Sequence, residues 1–236
     1  MSNSIGPKSK PGSLGVSYRG VHNKIINPDS NGIGEIAVRS RNVFMGYHKD
    51  EAKTKEAFQD GWFRTGDLGK LDDQGLMLLV GRLKELVITS GGENIPPVPI
   101  EDRIKSALPN LLSNVMVVGD QRKYLTCLVT IKCKVDENTQ PTCDLDPEAL
   151  AFCKKITEED IKTVEDAKKS DKVNEVIMEA LAKANSEATA NPHKVQKFTI
   201  LPMDFSLVGG ELGPTLKLKR HFVMQKYSKE IDDMYQ

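Results

Sequence analysis

Two apolar runs, residues 115–118 and 124–131, flank the turn Gly119-Asp120-Gln121-Arg122, and this pairing constrains the fold more than any other feature of the chain. A polar turn with Gly and Asp between β-rich runs predicts two paired strands. Downstream, Val173, Ile177, Ala180, Leu181 and Ala184 fall on one helical face, which predicts an amphipathic helix over 171–189. A further strand is expected over 195–201, and a helical face over Phe222, Val223, Tyr227 and Ile231. The second part of the chain therefore mixes strands with helices.

The first eighty residues read differently. Residues 1–31 are crowded with Gly, Pro, Ser and Asn, which form turns. Strands are expected over 34–40, 68–71 and 76–80, the last two joined by the turn Asp72-Asp73-Gln74-Gly75. A short helix is expected over 50–58, and a further strand over 86–89 that ends at Ser90-Gly91-Gly92. Ile100, Ile104 and Leu108 then take helical spacing behind Pro96, Pro97 and Pro99, and Pro is tolerated in a first helical turn. Residues 136–170 read as polar and loop-rich, serving surface elaboration and packing, with one helix over 147–156. The whole is an α+β chain, with a boundary near 81–85.

The 33 basic and 33 acidic side chains cancel, and 39% of residues are hydrophobic. That balance excludes a disordered acidic tail and a strongly basic nucleic-acid module. No apolar run approaches the roughly 20 residues that span a bilayer, and residues 1–15 lack a signal-like apolar stretch. Cys127, Cys133, Cys143 and Cys153 form no Cys-x-x-Cys pair, and the four histidines are scattered. No metal site is expected from such spacing, and reduced thiols suit a cytoplasmic protein.

Three stretches could carry chemistry. Asp67, between Gly66 and Gly69, could accept hydrogen bonds from a ribose diol, or merely cap its own turn. Arg82, in Gly81-Arg82-Leu83-Lys84-Glu85, could hold a phosphate or ribose oxygen, or lie exposed. The basic run Lys217-Leu218-Lys219-Arg220-His221 could meet an anion, or form a solvated face. Singly, each favours the plainer reading.

Together they are specific. Trp62-Phe63-Arg64-Thr65-Gly66-Asp67-Leu68-Gly69, then Gly81-Arg82-Leu83-Lys84-Glu85 and Gly91-Gly92-Glu93-Asn94-Ile95-Pro96-Pro97-Val98-Pro99-Ile100-Glu101, resemble the adenylate-forming acyl-CoA synthetase superfamily. The Pro-Pro-Val-Pro-Ile-Glu ending and the segment from Gly210 to Arg220 resemble its long-chain, bubblegum-type branch. The resemblance runs over essentially the whole chain and covers the C-terminal third of a full-length member.

The resemblance implies an ATP-dependent, AMP-forming long-chain fatty-acid–CoA ligase acting through an acyl-adenylate. Its substrates would be a fatty acid, ATP and CoA, with Mg²⁺ as the metal. Residues 1–83 would be the β-rich, barrel-like end of the large AMP-binding domain, and 84–236 the mobile C-terminal domain. Asp67 and Arg82 match nucleotide-binding positions, and Lys84 the hinge. Thr89, Ser90, Gly91, Gly92 and Glu93 match the loop that lies against the pantetheine arm of CoA. Lys219 matches the catalytic lysine, with Lys217 two residues away as its rival. The phosphate loop and acyl tunnel of the family are expected in a missing N-terminal domain. Asn3 stands where the family carries a Mg²⁺-associated glutamate, and an amide is the weaker ligand for a hard cation. Peripheral association with the cytosolic face of membranes such as the endoplasmic reticulum is a further expectation. Two alternatives stand beside this reading: a stand-alone, non-catalytic fragment or interaction module, and a luciferase-like or aryl-acid branch, against which the Pro-Pro-Val-Pro stretch argues.

Overall fold

A computed structural model describes residues 10–236, so Asn3 lies outside the described residues. The chain divides into two compact units, one ending at Leu86 and the other Val87–Gln236. The division falls just beyond the boundary read between 83 and 84.

The first unit is built on strands β1 (Ser13–Gly15), β2 (His22–Ile26), β3 (Gly34–Arg39), β4 (Phe58–Gln59), β5 (Trp62–Leu71) and β6 (Met77–Arg82). They form one sheet in the order β1-β6-β5-β3-β2, with β4 beside β5. The sheet is open and not closed into a barrel, because β1 and β2 are edges that do not meet. Asp72 sets the β5–β6 turn: its Oδ1 accepts from the N–H groups of Gln74 (3.0 Å) and Leu76 (2.9 Å). Helix α1 (Glu51–Ala57) starts where the Asp50 carboxylate accepts from the Lys53 N–H. Buried apolar side chains here include Ile36, Ala37, Leu68, Leu76 and Met77. The ten-residue β5 is longer than its expected core because Trp62 and Phe63 pair with β4 and Asp67 with Arg82.

The second unit opens with a two-stranded hairpin, β7 (Val87–Ile88) and β8 (Asn94–Ile95), shorter than the strand expected over 86–89. Helix α2 (Val98–Ala107) follows with Pro99 in its first turn. Strands β9 (Leu112–Val118) and β10 (Leu125–Ile131) pair antiparallel about the expected turn, and β13 (Val195–Ile200) adds in parallel to give the order β13-β10-β9. Strand β11 (Cys133–Val135) pairs with β12 (Pro141–Leu145). Helices α3 (Pro147–Ile156), α4 (Val164–Lys169) and α5 (Asp171–Ser186) come between β12 and β13, and α6 (Arg220–Lys226) and α7 (Ser228–Asp233) close the chain.

The three-stranded sheet is covered on both faces. Val115 and Val117 face a core with Ile104, Ile177 and Leu181 from α2 and α5. Met116 and Val118, alternating with them, face a second core with Val223, Tyr227 and Ile231 from α6 and α7. Two-sided burial explains why these strands read as continuous apolar runs rather than alternating ones. Residues 136–170 contribute packing as well as surface: Leu145, Ala149, Cys153, Ile161, Val164 and Ala167 are all buried in the first core. The C-terminal helical face is broken at Tyr227 into α6 and α7, and Phe222 stays exposed while Met234 joins the core.

Candidate functional site

In the first unit the candidate site is a bulged corner of β5. Glu35, buried beside it on β3, accepts from Arg64 Nε (2.7 Å) and from the Gly66 N–H (3.0 Å), and pairs with Arg64 through Nη2 as well. Gly66 takes a φ of 72°, which side chains with a Cβ adopt only at a cost of about 1–2 kcal/mol. The Thr65 hydroxyl donates to the Ile36 carbonyl (2.8 Å) and accepts from the Asp67 N–H (3.0 Å). The corner thereby holds Asp67 directly opposite Arg82 in the β5–β6 register. Arg82 Nε lies 3.0 Å from Asp67 Oδ1, with the two side chains 58% and 31% exposed. An ion pair this accessible contributes only about 0.2–1 kcal/mol, so a ligand can re-divide it at little cost. A carboxylate offers about four lone-pair sites, so Asp67 keeps acceptors for two hydroxyls.

Lys84 is exposed in a single 3₁₀ turn, Leu83–Glu85, directly before the division between the units.

In the second unit two loops stand out. In the first, Thr89 is buried and its backbone carbonyl accepts from the Gly92 N–H (2.9 Å), while its N–H donates to the Glu93 carbonyl (3.2 Å). Gly92 sits at φ 82°, where glycine relieves the strain of the turn. Ser90, Gly91, Gly92 and Glu93 are exposed. This presents a small-residue backbone ridge that a slender ligand can lie against.

The second loop runs from Glu211 to Arg220 and is held at both ends. At its entry the Glu211 carboxylate is buried and accepts from the Ser206 N–H (3.2 Å), the Tyr227 hydroxyl (3.1 Å) and Lys226 Nζ. Burial raises its pKa, but the hydrogen bonds from Lys226 and the Ser206 backbone outweigh that and hold the group below the ordinary carboxylate value. The Glu211 carbonyl accepts from the Lys219 N–H (2.8 Å). At its exit Arg220 forms a bidentate pair with Glu101 of α2, at 2.7 and 2.5 Å. The bridge Leu212–Leu218 turns both leucines toward the second core. Lys217 and Lys219 are both exposed. Leu216, at φ 58°, makes the turn that precedes Lys217, whereas the stem of Lys219 passes over Gly213.

Among the described residues no group of three or more His, Cys, Asp or Glu could hold a metal ion. All four cysteines are free, and burial pushes the thiols of Cys133 and Cys153 up to about 11, which makes them poor nucleophiles.

Sequence reasoning singles out Asp67, Arg82, Lys219 and the 89–93 loop as candidates but not the groups that hold the Asp67 corner and the lysine loop: Glu35, Thr65, Glu211, Glu101 and Arg220. Buried charges paired across 29 and 119 residues leave no local pattern.

Residues 84–146 match the model of the AMP-binding enzyme C-terminal domain. The chain is 47% identical over 228 residues, 95% of its length, to the long-chain-fatty-acid–CoA ligase ACSBG1 of Rattus norvegicus, and 48% identical over 226 residues to ACSBG2 of Gallus gallus. It superposes with a TM-score of 0.67 on the A domain of carboxylic acid reductase from Segniliparus rugosus, covering 91% of this chain and 31% of that one at 23% identity. ATP-bound MatB from Rhodopseudomonas palustris gives a TM-score of 0.62 at 25% identity, over 98% of this chain and 38% of that one. Residues 84–146 thus carry the C-terminal domain of the AMP-binding enzymes, and the fold is that of the C-terminal region of adenylate-forming enzymes. Along 95% of its length the chain is similar to the bubblegum-type long-chain-fatty-acid–CoA ligases, and it corresponds to their C-terminal portion. It spans 31% of the length of the rat relative.

Proposed function

We propose that this chain supplies the C-terminal machinery of an ATP-dependent, AMP-forming long-chain fatty-acid–CoA ligase. The alignment with the rat ligase over 95% of the chain carries this reading. The reaction needs two steps, because a carboxylate is a poor electrophile with oxide as its leaving group. First, a carboxylate oxygen bonds to the α-phosphorus of ATP and the bond to pyrophosphate breaks. Then the sulfur of CoA bonds to the acyl carbon, the bond to AMP breaks, and the thiol proton passes to solvent.

The residues divide accordingly. Asp67 accepts from the ribose hydroxyls and Arg82 donates to a neighbouring nucleotide oxygen. Lys219, on the doubly anchored loop, brings positive charge to the α-phosphate as negative charge gathers there. The 89–93 loop lies against the pantetheine arm. Lys84 acts as the hinge on which the second unit swivels, so that its two loops serve the two steps in turn. The remaining part of the enzyme, with the phosphate loop and the acyl tunnel, is the chain's principal partner, and Mg²⁺ would arrive with ATP. The setting proposed is cytoplasmic, at or near the cytosolic face of membranes.

Asp67→Ala is expected to weaken AMP binding about tenfold or more, since hydrogen bonds to a charged acceptor are each worth about 1.5–3 kcal/mol. Titration calorimetry checks this, and unchanged affinity removes Asp67 from the site. The function itself is tested by joining the upstream part of the rat relative in front of this chain and supplying palmitate, ATP and CoA. Palmitoyl-CoA should form with AMP and pyrophosphate, while the chain alone should not exchange pyrophosphate into ATP. Exchange by the chain alone would favour neither a fragment nor a passive module, and no thioester from the joined protein would overturn the reading.

A further inference from the structure

The turn between β9 and β10 does more than connect two strands. Its Gln121 N–H donates to the Ile88 carbonyl (2.7 Å), and its Arg122 carbonyl accepts from the Ser90 N–H (2.9 Å). Asp120 Oδ1 accepts from the Ile88 N–H (3.1 Å). The backbone entering the 89–93 loop thus pairs with β8 in the Ile88–Asn94 register, while the N–H and carbonyl of Ile88 both bond to this turn. The turn is itself braced. The Arg122 guanidinium pairs with Asp232 and lies 4.8 Å from the centre of the Tyr235 ring. The Tyr235 hydroxyl is tied to Thr126 (3.1 Å) and to the Tyr124 carbonyl (3.1 Å). The lysine loop is held by a separate set, Glu211, Glu101 and Arg220.

We propose that Asp120 is a positioning residue for CoA capture: through the Ile88 N–H it fixes the base of the 89–93 loop and acts on the thioester step alone. This rests on the function proposed above. Asp120 is exposed, so its replacement leaves the cores intact.

The test is Asp120→Ala, with Asp120→Asn as the conservative variant that keeps a carbonyl acceptor. In the joined protein, Asp120→Ala should raise KM for CoA roughly five- to tenfold, the loss expected from one hydrogen bond. Palmitate-dependent ATP–pyrophosphate exchange should stay within about twofold of the parent, since none of the lysine-loop anchors is touched. Asp120→Asn should restore most of the CoA affinity. In this chain alone, amide hydrogen exchange should quicken at Ile88 and Ser90 and not at Lys219. An unchanged KM for CoA, or equal losses in both half-reactions, would overturn the assignment of Asp120. Absence of thioester from the unsubstituted joined protein is a different failure, since it removes the function on which the assignment rests.

Discussion

Replacing Glu101 by alanine is expected to destabilise the second unit by about 3–5 kcal/mol, the usual cost of removing one member of a buried ion pair. Glu101 and Arg220 side chains are only 9% and 16% exposed. The carboxylate accepts from both Arg220 terminal nitrogens and also from the Val117 N–H at 2.7 Å. One side chain therefore joins the first turn of α2, the end of β9 and the start of α6. Alanine would strip Arg220 of its bidentate carboxylate and leave the Val117 amide donor buried without its acceptor. For a unit of this size the midpoint of thermal unfolding should fall by roughly 10 °C. Glu101→Gln, which keeps the acceptor for Val117 but loses the charge, should fall less. A change below about 1 kcal/mol in urea unfolding would show that the pair does not hold these elements together.

Lys219→Ala should have the largest effect on chemistry. Removing one preorganised charge or donor aimed at developing negative charge costs about 10²–10³ in rate, and a loss of that order is expected in palmitate-dependent ATP–pyrophosphate exchange by the joined protein. Lys219 is bound through its own N–H to Glu211 and is followed directly by the anchored Arg220. Lys217, exposed like Lys219, instead follows the left-handed Leu216 and lies two residues before the anchored Lys219–Arg220 end of the loop. Lys217→Ala should therefore cost less than about tenfold. A reversal of the two losses would move the cation's role to Lys217.

What the sequence revealed about the fold followed from burial and turn chemistry. The β9–β10 hairpin was legible because two-sided burial makes a strand apolar throughout, and α5 because one face repeats Val173, Ile177, Ala180, Leu181 and Ala184. Strands β1 and β2 were not, since edge strands of an open sheet carry polar residues such as His22 and Lys24 and hide among turn formers. Helix α4 was missed although Thr163-Val164-Glu165-Asp166 spells its capping box, with reciprocal bonds between Thr163 and Asp166. At the site, the residues that would touch ligands sit in recognisable short motifs. Their supports do not, because Glu35, Glu101 and Glu211 act on partners that only folding brings near.

The division of labour between the two loops of the second unit is tested most directly by presenting preformed palmitoyl-adenylate and CoA to the joined protein carrying Lys219→Ala. Thioester formation should proceed within a few-fold of the unsubstituted rate, because the adenylation step has been bypassed and the 89–93 loop is untouched. Loss of CoA capture as deep as the loss of adenylation would contradict it.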